Sequence, residues 1–134
     1  MSAHRMSVRV YYEDTDFSGN VYHAAYLKFF ERGRTEFLRD LGIHHSELIR
    51  DGIAFAVRAM HIDFAAAAHI DDLLTVVTEV AAFTGARLTL KQAILSGTNV
   101  LISAEVTVVA IKVGGGAARM PSDLRERLAI EMKG

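Results

Sequence analysis

Apolar and polar positions divide the chain into an early strand, a long amphipathic helix and a late run of strands. Val8-Arg9-Val10-Tyr11-Tyr12 is rich in β-branched and aromatic residues and reads as the end of a strand. Ser18-Gly19-Asn20 then forms a turn, and helical spacing begins at about Val21 and holds to Leu41. It places His23, Tyr26, Leu27, Phe30, Arg34, Phe37, Leu38 and Leu41 along one side, with Lys28, Arg32, Thr35 and Arg39 on the other. A second short helix is expected from His44 to Asp51, with polar capping near His45-Ser46 and a stop at Gly52.

From Ile53 to Phe64 the period is two: Arg58, Met60, Ile62 and Phe64 alternate with Ala59, His61 and Asp63, the pattern of a strand. Ala65 to Ala68 is too short for a helix and reads as a connector. Three more strands follow, at about Leu73–Ala82, Ala86–Ser96 and Val100–Val113. Thr84-Gly85 and Gly97-Thr98-Asn99 separate them, and such short turns make successive strands antiparallel neighbours. In the second of these, Leu88, Leu90, Gln92 and Ile94 share one face, while Arg87, Thr89, Lys91 and Ala93 share the other. Val106 to Ile111 is apolar on both faces, as expected of a strand covered on both sides or at a subunit contact. Gly114 to Gly116 is a loop or tether. Pro121-Ser122 introduces a last helix, Asp123 to Met132, striped by Leu124, Leu128 and Met132. Strand, long helix, then four antiparallel strands is an α+β order, in which the sheet buries the helix on one face.

Composition narrows the class. A length of 134 residues predicts one domain spanning 1–134, and 51% hydrophobic residues exclude a disordered chain. The formal net charge of −1 gives no reason to expect nucleic acid or an anionic membrane as a partner. There is no cysteine, so disulfides and thiol nucleophiles are excluded. No apolar run is long enough to cross a bilayer, and Met1 to Met6 lacks the apolar core of a signal peptide. A cytoplasmic protein is the expectation.

The chemistry concentrates between Tyr11 and Leu38. Glu13, Asp14 and Asp16 lie just ahead of the long helix, beside backbone N–H groups able to hold a developing oxyanion. That arrangement suits chemistry on an acyl group. The stretch resembles the hotdog-fold acyl-CoA thioesterases, in the branch of 4-hydroxybenzoyl-CoA thioesterase and the bacterial Tol–Pal-associated thioesterases. Tyr12, Glu13, Asp14-Thr15-Asp16, Gly19, Val21-Tyr22-His23, Tyr26-Leu27, Glu31-Arg32 and Arg34 carry the likeness. It continues more weakly through Asp71-Asp72 and Arg119-Met120-Pro121. Relatives often carry a proline where this chain has Ala65 to Ala68.

The resemblance implies a hotdog fold, an antiparallel sheet wrapped around one central helix, joined as homodimers or homotetramers with active sites between subunits. It assigns Asp16 as the carboxylate that attacks the thioester carbonyl or activates water, and the His23 backbone N–H as the oxyanion donor. From residue type alone Asp16 can equally cap a turn, and the His23 imidazole can be a polar side chain at a helix entrance. Tyr22 and Tyr26 are expected to line the acyl pocket, with plain core packing the alternative. Glu31 takes a named substrate-binding role, because a helix glutamate serves another hotdog branch; its alternative is an ion pair with Lys28 or Arg34. Arg87, Lys91 and Arg119 are expected at the nucleotide end of coenzyme A. Asp14 reads as structural. A shared metal at Asp14 and Asp16 lacks the remaining ligands of a calcium loop, and no metal or redox cofactor is expected. Gly33 implies close packing against a strand or room for a ligand. Two other readings stand beside hydrolysis: a non-catalytic acyl-thioester binder, and a hotdog hydratase or dehydratase.

Overall fold

A computed structural model describes residues 3–133, so residues 1 and 2 of the stretch read for a signal peptide lie outside it. Strand β1 (His4–Arg9) leads through a one-turn 3-10 helix (Tyr12–Asp14) to helix α1 (His23–Asp40). Helix α2 (His45–Arg50) follows, then strands β2 (Ile53–Phe64), β3 (Leu73–Phe83), β4 (Arg87–Ser96) and β5 (Asn99–Lys112), and helix α3 (Ser122–Lys133). The strands form one antiparallel sheet in the order β1-β3-β4-β5-β2, which is the expected α+β class. β3, β4 and β5 are neighbours through short turns, as read, while β2 crosses to the far side of β5.

Two boundaries differ from the sequence reading. The first strand, His4–Arg9, ends at Arg9 rather than at Tyr12. Beyond it, the Asp14 carboxylate accepts the Tyr11 N–H at 2.8 Å and folds Tyr12–Asp14 into a turn that strand propensity does not foresee. Helix α1 starts at His23, not Val21, because Val21 and Tyr22 are still extended: their N–H groups donate to the Ala68 and Asp14 carbonyls, both at 2.9 Å.

Helix α1 buries Ala25, Tyr26, Phe29, Phe30, Gly33, Phe37 and Leu38. Phe29 is fully buried although the three-four spacing had chosen Leu27, which is 42% exposed. The stripe is turned by about one residue. Leu88, Leu90, Gln92 and Ile94 of β4 are all buried on one face of the sheet, as their alternation predicts, and Gln92 reaches α1 directly. Gly33 explains how closely the helix lies. A Cβ there would come 2.7 Å from Val76 Cγ1 and 3.2 Å from both Gln92 Nε2 and Thr78 Oγ1, so it is the packing reading of Gly33 that holds. Under it, the buried Gln92 amide donates to the Phe30 carbonyl at 3.0 Å and to Thr78 Oγ1 at 2.9 Å, and its oxygen accepts from Arg34 Nη1 at 3.1 Å. A buried amide is tolerated only when satisfied in this way.

Helix α3 closes the far end with Leu124 and Leu128, each worth roughly 1.5–3 kcal/mol when fully buried. Its Arg127 donates to the Leu41 carbonyl at the end of α1. Among the described residues, no helix is long and apolar enough to cross a membrane.

Candidate active site

The segment between the 3-10 turn and α1 is held by backbone pairing. Thr15 pairs with Val21, and Asn20 pairs with His69 in the connector before β3. Asp16 opens the turn between. Its N–H donates to the Asn20 carbonyl at 2.9 Å and its carbonyl accepts from Gly19 at 3.1 Å, with Gly19 at φ +84, where a side chain would be strained. Asp16 Oδ1 accepts from Ser18 Oγ at 2.5 Å and from the Ser18 N–H at 2.8 Å. These bonds, the hydroxyl's first and then the backbone's, hold the Asp16 carboxyl below the usual 3.8. Oδ2 has no partner among the described residues and faces solvent. Asp16 thus does cap a turn, with one oxygen, and keeps the other free for chemistry.

Asp14, two residues earlier, holds the backbone with both its side chain and its main chain. Its carboxylate takes the Tyr11 N–H and its carbonyl takes the Tyr22 N–H. The Tyr22 N–H is therefore unavailable to a substrate. The N–H groups of His23 and Ala24 have no acceptor among the described residues, and Tyr22 offers no side-chain cap. The open donors are thus one residue further along than Tyr22. The His23 ring is exposed and lies against the Tyr22 ring at 4.5 Å between centroids, with no hydrogen bond to Asp16. Among the described residues there is no cluster of three His, Cys, Asp or Glu side chains arranged for a metal.

The remaining candidates fall in three places. Tyr26 is in the core; its hydroxyl accepts the buried Ala68 N–H at 2.9 Å, and its ring meets Phe29 and Phe64. Glu31 lies on the wall of a groove of about 390 Å³ between α1, α2 and β2, with Arg34, Thr35, Leu38, His45, Ile49 and Phe55 around it. It accepts from Thr35 Oγ1 at 3.3 Å and forms no ion pair with Lys28 or Arg34 within 4.0 Å. Burial pushes the Arg34 guanidinium down from its usual range, and Glu31 nearby holds it up.

The cations divide. Arg87 lines a shallow pocket of about 490 Å³ with Arg58 and the Thr84 turn, and the Arg119 guanidinium lies over Gly85 in that same turn. Lys91 is apart from them, paired in register with Glu79 on one side and Glu105 on the other. The Arg87–Arg119 turn and the Asp16 loop lie at opposite ends of β3, roughly 33 Å apart at about 3.3 Å per residue.

A family model described as the thioesterase-like superfamily matches residues 10–128. The acyl-CoA thioesterase YbgC of Haemophilus influenzae is 47% identical over 108 residues, which are 80% of this chain and 79% of that protein. This chain belongs to the thioesterase-like superfamily. The crystal structure of a probable thioesterase from Bartonella henselae, 46% identical, superposes with a TM-score of 0.85 over 90% of this chain and all of that one. A DHNA-CoA thioesterase from Staphylococcus aureus, at 20% identity, shares the fold with a TM-score of 0.92 over 99% of this chain and 93% of that chain. The family and hotdog fold read from the front motif are thereby borne out, and thioester hydrolase is the enzyme class those relatives carry.

In this member of the thioesterase-like superfamily, two features escaped the sequence. Arg58 stands beside Arg87 because a β-bulge between Val57 and Ala59 inserts it out of register, and alternation cannot foresee an inserted residue. The groove between α1 and β2 draws its walls from three distant segments. Its one sequence signal is Arg34, a cation on the apolar side of a helix.

Proposed function

We propose that this protein hydrolyses acyl-CoA thioesters to the free acid and CoA. Asp16 attacks the acyl carbon or activates water through its free Oδ2, and the open N–H groups at His23 and Ala24 hold the carbonyl oxygen as it gains charge. The reading calls on no metal or redox cofactor. The observation that carries it is the half-engaged Asp16 carboxylate, ionised and tied by backbone pairing to the residues that enter α1.

A second copy completes the site. Within one chain, Asp16 and the Arg58–Arg87–Arg119 cations are too far apart for one thioester to reach both. Strand β2 is an edge strand of 12 residues carrying Ile53, Phe55, Val57, Met60, Ile62 and Phe64. An edge so long and apolar invites pairing. Antiparallel pairing of β2 with its own copy brings the Phe64 end of one chain, next to Tyr26, against the Ile53 end of the other. There Ala56, Val109 and Arg87 stand in register. A two-fold partner thus supplies cations and groove to the Asp16 loop, and a homodimer is the minimal enzyme. Pairs of dimers fit the same reading.

The test is CoA release from short, long and aromatic acyl-CoAs by wild type and Asp16→Asn, with circular dichroism on both. The expected result is turnover by wild type and a loss of about 10²–10⁴-fold in the folded variant. A folded wild type that releases no CoA from any of them, yet binds them, overturns hydrolysis in favour of an acyl-thioester binder.

A further inference from the structure

The connector before β3 places a histidine on the same face as Asp16. Two antiparallel pairings, Thr15 with Val21 and Asn20 with His69, join three short extended segments side by side. The bonds between them are Asp16 N–H to Asn20 O, Val21 N–H to Ala68 O and Ile70 N–H to Gly19 O, each 2.9 Å. Side chains alternate along an extended segment, and directly opposed residues share a face. Val21 and Ala68 point inwards and are buried. Asp16, Asn20 and His69 therefore form a row on the outward face, with neighbouring segments about 4.8 Å apart and the two ends of the row about 10 Å apart at Cα.

His69 is also oriented. Asp72 Oδ2 accepts the His69 N–H at 2.9 Å and lies 3.7 Å from its Nδ1, which leaves Nε2 on the other side of an imidazole ring 62% exposed. At that distance the carboxylate is a charge contact beside the Nδ1 edge of the ring and leaves the Nε2 edge open. Around it are Asp16 along the row, Asp72 on its own loop, and Arg9, whose guanidinium donates to the Asp71 carbonyl at 2.8 Å.

We propose that His69 is a further catalytic residue, the general acid that protonates the leaving thiolate. The proposal rests on the thioesterase reading above. A thioester carbon above the free Asp16 oxygen leaves its sulfur further along the row, over Asn20 and towards His69 Nε2. As Asp16, or the water it activates, bonds to the acyl carbon, the C–S bond breaks and its electron pair goes to sulfur. The Nε2 proton moves to that sulfur, giving the free thiol and a neutral imidazole that regains its proton from solvent. Atoms and charge balance without another reactant.

The experiment compares kcat/KM, which includes the step that expels the thiol, for one acyl group on two thiols: its CoA ester and its thiophenyl ester. An alkyl thiolate needs a proton as it leaves, and a thiophenolate does not. His69→Gln, confirmed folded by circular dichroism, is expected to lose about 100-fold on the CoA ester and to stay within about threefold of wild type on the thiophenyl ester. Equal losses on both esters, or no loss on either, overturn the proposal and leave the proposed function standing. A wild type that cleaves neither ester overturns both.

Discussion

Gly33→Ala tests whether the close approach of α1 to the sheet is what holds this fold in register. Two effects oppose each other. In a helix interior alanine is favoured over glycine by about 1 kcal/mol. Against that, the new Cβ would stand 2.7 Å from Val76 Cγ1, inside any normal contact, and 3.2 Å from the two side chains of the buried Gln92–Thr78 hydrogen bond. Overpacking of this kind costs about 1–3 kcal/mol, and the neighbours have little room to retreat. Val76 and Thr78 are fully buried on a strand paired on both sides. Weakening one of the Gln92 hydrogen bonds adds roughly 1 kcal/mol. The net expectation is a destabilisation of about 2 kcal/mol, seen in a thermal melt as a midpoint about 8 °C lower at roughly 4 °C per kcal/mol for a chain of this size. A midpoint equal to or above wild type would falsify the argument, showing that α1 slides outward freely and that propensity decides.

Two other substitutions separate support from chemistry. Tyr26→Phe strands the buried Ala68 N–H, costing about 1–3 kcal/mol, and loosens the connector that carries His69. A thermal melt is expected to show the loss, with CoA release slowed but present; an unchanged midpoint refutes the bond's importance. Ser18→Ala removes the hydroxyl that does most to lower the Asp16 pKa, leaving the backbone N–H. A carboxyl with a depressed pKa stays ionised as pH falls until its own folded value is reached. The acid limb of the kcat/KM profile is therefore expected to move to higher pH, towards 3.8, and a limb that stays put or moves down contradicts the role given to Ser18.

What the sequence made legible is what repeats or alternates. Period two gave β4 its faces, and Leu88, Leu90, Gln92 and Ile94 are all buried on one side. Short Gly turns placed β3, β4 and β5 beside one another. Spacing failed where one local irregularity overrides it: the carboxylate of Asp14 turns Tyr12–Asp14 out of the strand, and the bulge at Arg58 changes which residues face Arg87. Family likeness supplied Asp16 and the His23 N–H, but no local pattern shows that the Tyr22 N–H is already taken by Asp14 or that the Ala24 N–H lies open beside that of His23.

The same limit explains why Asp14-Thr15-Asp16 reads as a motif yet not as a mechanism. All three residues are short and polar, and composition treats the two carboxylates alike. Their partners separate them. Asp14 has both its carboxylate and its carbonyl committed to backbone N–H groups, which fixes where the chain enters α1. Thr15 pairs with Val21 and sends its hydroxyl to the Tyr12 carbonyl at 2.7 Å, which closes the 3-10 turn. Asp16 is the more exposed of the two acids, and it takes both Ser18 bonds on Oδ1, leaving Oδ2 towards solvent. The half-buried Asp14 carboxylate holds the turn that leads into α1, whereas the exposed Asp16, held at a single oxygen by Ser18, is oriented and open to a substrate. The chemistry of the triplet therefore depends on which acid is exposed and what each one holds in place, properties that exist only once the loop is folded against Val21 and His69.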